Sequence, residues 1–83
     1  MLELKDTIED MLSDDYKERF IAEYNQVKIR VTKLDSLIHR YANKELDFTP
    51  STPIDVLVRQ KIFMFRYMKI LEARASYEGI DLD

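Results

Sequence analysis

The chain has 83 residues and a mass of 10.0 kDa, which is enough for one small domain. It carries one Gly, two Pro and no Cys, with 35% charged and 46% hydrophobic residues and a formal net charge of -3. That excludes a disulfide framework, a thiolate metal site and a cysteine nucleophile, and the lone Gly argues against a Gly-rich phosphate loop or a β-sandwich.

The N-terminus reads Met1-Leu2-Glu3-Leu4-Lys5-Asp6, with charges where a signal peptide would have an apolar core. Leu4, Ile8, Met11 and Leu12 recur at helical spacing and predict a short helix within residues 1–14. Ser13-Asp14-Asp15 then supplies N-cap candidates, and Glu18 follows Asp15 at capping-box spacing.

The next segment sets Phe20, Tyr24, Val27, Val31, Leu34, Ile38 and Tyr41 at alternating steps of four and three. This heptad seam predicts a helix over residues 15–45, about 45 Å long at 1.5 Å per residue. Asp47 to Pro53 interrupts it, and Thr52-Pro53 is a helix start, with Pro53 at the first helical position and Asp55 at the third. The second long helix is expected over residues 53–78, ended by Gly79 with Ile80 folding back. These elements predict one all-α domain over residues 1–83: a short N-terminal helix and a long antiparallel helical hairpin.

The second long helix is apolar on too many sides. Leu57, Met64, Tyr67 and Leu71 form one stripe, Val58, Ile62, Phe65 and Met68 form another, and Ile54, Phe63 and Ile70 lie between. A two-helix hairpin buries one stripe per helix, so the second stripe faces another surface. A homo-oligomer is the simplest expectation at this size, and a foreign partner helix is the alternative.

Charge is banded. Residues 1–15 hold six acids against Lys5, a balance of -5, while residues 16–44 hold seven bases against three acids, a balance of +4. Residues 56–74 hold five bases against Glu72, again +4, and the turn and the tail are acidic. Asp14, Asp15 and Asp55 are accounted for by the helix dipole, and bases on solvated faces need no further explanation. The same bases, interleaved with aromatics as in Tyr16-Lys17 and Arg66-Tyr67, also suit a small anionic ligand. A pI near 5.1 speaks against long DNA or RNA, which needs a broad basic face.

No catalytic constellation stands out. His39 is the single histidine, and Ser13, Ser36, Ser51 and Ser76 have no base placed to activate them. Asp14, Asp15 and Glu18 fit helix capping better than a metal site. Small all-helical enzymes that use only Arg and Lys, such as all-helical chorismate mutases, open with a basic residue leading a repeated Ile-Asp pattern, which is not seen here. The expectation is therefore no enzyme, no metal and no cofactor. No apolar run approaches the roughly 20 residues of a membrane span, so a cytoplasmic protein with no membrane partner is expected.

The first long helix reads Tyr16-x-x-Arg19-x-x-x-Glu23-Tyr24-x-x-Val27-x-x-x-Val31-x-Lys33-Leu34-x-x-Leu37-Ile38. The second reads Leu57-x-x-Gln60-x-x-x-Met64-x-x-Tyr67-x-x-x-Leu71-Glu72-x-Arg74, followed by Glu78-Gly79-Ile80. From residue 16 onward this resembles the helical-hairpin domain shared by phage anti-CBASS and anti-Thoeris sponge proteins. Gln60, Met64, Tyr67 and Arg74 are the most distinctive part.

The resemblance implies a homo-oligomer, typically a homohexamer, that is not an enzyme and sequesters cyclic oligonucleotide second messengers of bacterial immunity. The anti-Thoeris branch carries a further domain after the hairpin. With the sequence ending at Asp83, the anti-CBASS type is the expectation, binding cyclic dinucleotides and cyclic trinucleotides between protomers in the bacterial host cytoplasm. By resemblance, Tyr16 is the base-stacking aromatic, Lys33 or Lys28 the basic residue beyond it, and Arg19 a phosphate partner. Arg66 and Arg74 are candidates for the trinucleotide site. Lys61, Phe63, Phe65 and Arg66 depart from the family's usual pattern. A hairpin module that oligomerises or inhibits a protein, with no nucleotide ligand, is the second reading.

Overall fold

The computed structural model describes residues 2–82, and within them every regular element is helical. The expected limits at Met1 and Asp83 lie outside the described residues. A 3-10 turn over Leu4–Thr7 runs into the single-turn helix α1 (Ile8–Met11), and the hairpin is built from α2 (Tyr16–Ala42) and α3 (Ile54–Glu78). α2 and α3 are antiparallel, since Tyr16 meets Arg74 and Glu78 at one end and Asp35 meets Lys61 towards the other.

Local chemistry places most of the boundaries. Asp15 caps α2, its carboxylate accepting from the Lys17 amide at 2.9 Å. Its own N–H goes to Ser13 Oγ at 3.0 Å, so Ser13, rather than Glu18, supplies the acceptor that a capping box would have provided. α2 stops at Ala42 because Lys44 turns left-handed at φ 58 and the Glu45 amide folds back onto the Arg40 carbonyl at 2.8 Å. At the start of α3, Pro53 is the capping residue and Ile54 the first helical one. The Pro53 carbonyl accepts from Val56 and Leu57, which leaves Asp55 one position nearer the start than expected. α3 ends as expected: Gly79 is left-handed at φ 68, the Ile80 amide bonds to Ala75 O at 2.9 Å, and Ile80 is buried.

The core occupies one half of the hairpin. Phe20, Tyr24, Val27 and Val31 of α2 pack against Met68, Leu71, Ala75 and Ile80, with Ile21, Met64 and Leu82 at the margin. Leu71 is only 1% exposed. Beyond Val31 the same heptad opens: Leu34, Ile38 and Leu57 are half-buried, while Tyr41 and Phe48 are exposed.

The N-terminal segment lies on α2 with its backbone away from α3, and its Leu4 borders a hollow shared with Leu34 and Leu37 of α2 and Gln60 and Met64 of α3. It is held there by polar groups more than by the apolar face its spacing suggests. Thr7 is buried, donates to Leu4 O at 2.7 Å and accepts from Gln26 Nε2 at 3.0 Å. Lys33 Nζ reaches Glu3 at 3.1 Å, whereas Ile8, Met11 and Leu12 stay exposed. The order of layers is N-terminal segment, α2, α3. Among the described residues no helix is long and apolar enough to cross a membrane.

Candidate functional site

A groove of about 520 Å³ runs along one side of the α2–α3 seam, just beyond the last fully buried layer. α2 lines it with Lys28, Val31, Thr32 and Asp35, and α3 with Lys61, Ile62, Phe65, Arg66 and Met68. The spacing explains the set. Lys28, Thr32 and Asp35 follow one another at steps of four and three on the flank of α2, and Phe65 and Arg66 lie three and four residues beyond Ile62 on α3. Val31 and Met68 form the apolar floor and the bases stand on the rims.

The groove is electropositive. Lys28 Nζ lies 6.0 Å from the Tyr24 ring centroid, and the Arg66 guanidinium lies 5.8 Å from that of Phe63. Among the described residues neither Lys28 nor Arg66 is in an ion pair. Lys61 is held by Asp35 at 3.1 Å, and Asp35 also faces His39 Nδ1 at 3.4 Å. Lys69 Nζ sits 5.1 Å from the Phe65 ring centroid and donates to Glu72 at 3.3 Å. Below it Tyr24 donates to the other Glu72 oxygen at 2.8 Å. That hydrogen bond, reinforced by Lys69 and the charge of Lys28, holds the Glu72 carboxyl below its ordinary range.

A second depression of about 260 Å³ adjoins this groove through Lys28 and Thr32. Glu3, Asn25, Ile29 and Lys33 also line it. The structure thus brings Lys28, Lys33 and Arg66, three of the expected site residues, onto two adjoining hollows.

The other three lie elsewhere. Tyr16 donates to Glu78 at 2.8 Å and accepts from Arg74 at 2.8 Å, and Arg74 Nε contacts Glu78 at 3.3 Å. The Glu78 hydrogen bond raises the Tyr16 phenol above its ordinary value. Arg74 also covers the Phe20 ring at 5.0 Å, while Arg19 donates to Ser13 O at 2.7 Å. These contacts lock the end of the hairpin where α2 begins. Twelve residues of helix, about 18 Å, separate Tyr16 from Lys28, so one chain cannot bring all six residues around one small ligand.

Phe65, Thr32, Asp35 and Lys61 complete the groove without having been singled out as site residues. A signal for them exists in the sequence, because each lies three or four residues from Lys28 or Arg66 or from another lining residue. Their neighbours across the seam depend on the register of α2 against α3. Arg66 pairs with the Phe63 ring and not with Tyr67, whose hydroxyl donates to Glu23. Among the described residues no cluster of acids and histidine is arranged to hold a metal ion.

The chain is thus an all-helical hairpin with a basic, partly apolar groove on its seam. A family model described as Sequestin matches residues 14–77, which covers both long helices. The chain belongs to the Sequestin family. No curated protein and no solved structure gives a match.

Proposed function

We propose that this chain sequesters cyclic oligonucleotide second messengers, cyclic dinucleotides first and cyclic trinucleotides as a second class. In this way it would block CBASS immunity in the cytoplasm of a bacterium infected by the phage that encodes it. Membership of a family named for sequestering supports the binding of a small signalling molecule. The observation that carries the finer reading is the groove: Lys28 and Arg66, in no ion pair among the described residues, flank an apolar floor beside the half-exposed Phe65 ring.

The chemistry fits the ligand class. Phosphates take charge-assisted hydrogen bonds from Lys28 and Arg66, and a nucleobase stacks on an exposed ring such as Phe65, worth about 1–3 kcal/mol per base. The volume falls within the roughly 300–1,000 Å³ of small-molecule sites. Sequestration is binding without turnover, so the ligand leaves unchanged. A twofold pair of such grooves in a homo-oligomer would match the approximate twofold symmetry of a cyclic dinucleotide. A homohexamer is the assembly the family resemblance implies.

Titration calorimetry against a panel of cyclic di- and trinucleotides tests the proposal. Saturable binding is expected, with intact ligand recovered after denaturation, and Lys28→Ala together with Arg66→Ala weakens it at least tenfold. Silence across the whole panel would sink the nucleotide reading in favour of a protein-binding hairpin, and recovery of hydrolysed ligand would point to an enzyme. Tyr16→Ala separates the two candidate locations. If it abolishes binding while Lys28→Ala does not, the site lies at the Tyr16–Arg74 end.

A further inference from the structure

The smaller hollow beside the groove is lined by two bases, Lys28 and Lys33, and by a single acid, Glu3. The two bases are not in the same state. Lys28 is in no ion pair among the described residues, whereas Lys33 Nζ is held by the Glu3 carboxylate at 3.1 Å. An anion entering the hollow therefore finds one cation open and the other covered by a carboxylate of the chain itself.

That carboxylate is placed so that it can leave. The Lys33 and Glu3 side chains are 61% and 46% exposed, and a pair so open to solvent is held weakly. Glu3 has extended backbone, with φ -110 and ψ 163, and stands just ahead of the Leu4–Thr7 turn. Its amide donates to the Asp6 carboxylate at 2.8 Å, and Thr7 is tied to Gln26 at 3.0 Å. The segment therefore keeps its place when only the Glu3 side chain swings out. The acid of the larger groove is the opposite case. Asp35 lies on α2 itself and faces both Lys61 at 3.1 Å and His39 at 3.4 Å. Lys61 is committed to its partner, while Lys33 is only occupied.

We infer that Glu3 is an internal substitute for a ligand phosphate, which takes its place on Lys33 when the hollow between Lys28 and Lys33 fills. Lys28 and Thr32 line both hollows, so one ligand can reach from the groove to Lys33. The ligand class this selects carries two phosphates, one between Lys28 and Arg66 and the other at Lys33. The two-phosphate requirement rests on the nucleotide reading above. The exchange at Lys33 does not, and inorganic pyrophosphate, which has no base, tests it separately.

The full chain is titrated with pyrophosphate in a calorimeter at low salt, where exposed charges are least screened. Glu3→Gln is expected to bind about threefold more tightly than the parent, within the roughly fivefold that a surface pair worth about 1 kcal/mol allows. Glu9→Gln removes the same charge from an exposed position of the segment and leaves the affinity at the parent value. In a Lys33→Gln background Glu3→Gln brings no gain, because the pair it would release is already absent. Circular dichroism checks that each variant keeps its helices. In the unaltered chain at constant pH, saturating pyrophosphate moves the Glu3 carboxyl carbon resonance to its position in the Lys33→Gln chain. Equal affinities for Glu3→Gln and Glu9→Gln, a gain that survives Lys33→Gln, no pyrophosphate binding by the Glu3→Gln chain, or a Glu3 resonance that stays in place would each overturn the exchange. A cyclic dinucleotide should gain from Glu3→Gln while a cyclic mononucleotide, with one phosphate, does not, and an equal gain for both would overturn the two-phosphate requirement. Exchange with pyrophosphate alongside silence from every cyclic dinucleotide would overturn the nucleotide reading alone.

Discussion

The two ends of the hairpin share one heptad pattern and differ in almost everything else. At the end where α2 starts and α3 stops, Phe20, Tyr24, Val27 and Val31 meet Met68, Leu71 and Ala75, and the tail folds back through Ile80. Tyr16, Arg74 and Glu78 tie the rim together. At the end next to the loop, Leu34, Ile38, Leu57 and Val58 are only half-buried and Tyr41 and Phe48 face solvent. The closed end has a third source of cover, the tail that brings Ile80 and Leu82 onto the core. The open end has two helices alone, and two helices cannot enclose a side chain from every direction. The electropositive groove sits at the transition, where Val31 and Met68 are still buried and Lys28, Lys61 and Arg66 can stand around them.

The largest effect that separates the two ends is expected from truncating the core. Leu71→Ala should cost about 3 kcal/mol of unfolding free energy, while Leu57→Ala, already half in solvent, should cost about 1 kcal/mol. Urea titration followed by circular dichroism measures both. Equal costs would mean that the open end is covered in solution by something outside the hairpin.

The helix stops give the next contrast. Both long helices end through a left-handed residue, but α3 uses Gly79 and α2 uses Lys44. A Cβ at position 79 would meet nothing within 4 Å, so Gly79→Ala should destabilise by about 1 kcal/mol through backbone conformation alone. Lys44→Gly should move stability the other way by about 1 kcal/mol, relieving the same strain at the open end. Thermal unfolding of the two variants should shift in opposite directions.

The smallest effect is electrostatic. The Tyr24 hydroxyl, with Lys69, holds Glu72 below its ordinary carboxyl value. A depressed folded value means that the stabilisation is fully present above the unfolded carboxyl range and disappears as pH falls through the folded value. Glu72→Gln should therefore flatten the acid limb of the stability profile slightly and leave neutral pH less stable than the parent. An unchanged acid limb would show that the Tyr24 contact contributes nothing at the closed end.

Much of this was readable from particular residues. The Gly79-Ile80 pair announced the end of α3, and the seven seam residues from Phe20 to Tyr41 announced α2, because caps and periodicity act over one or two turns. The α2 stop at Ala42 was less visible, since Lys44 is not a residue that advertises a left-handed turn. The N-terminal segment is helical where its spacing predicts, over Leu4–Thr7 and Ile8–Met11. Leu4, Ile8, Met11 and Leu12 have helical spacing, yet the segment is anchored through Thr7, a polar residue whose partner Gln26 is distant in sequence.

The site divided along the same line. Lys28, Lys33 and Arg66 lie near one another, whereas Tyr16, Arg19 and Arg74 serve the closed end. Nothing in the spacing of the six distinguishes the two groups, because the choice depends on which α3 residue stands opposite each α2 residue.

What 83 residues without Cys and with one Gly determined by themselves was the class of the protein: helical, built on a seam, banded in charge, and with more apolar surface than one hairpin can cover. Those properties are local or summed, and they survive any arrangement of the helices. The tertiary structure decided which half of the seam closes, which bases border the groove, and that the N-terminal segment packs on α2. The physical reason is register. Burial and charge proximity arise between residues tens of positions apart, and only the docking of one helix on another brings them together.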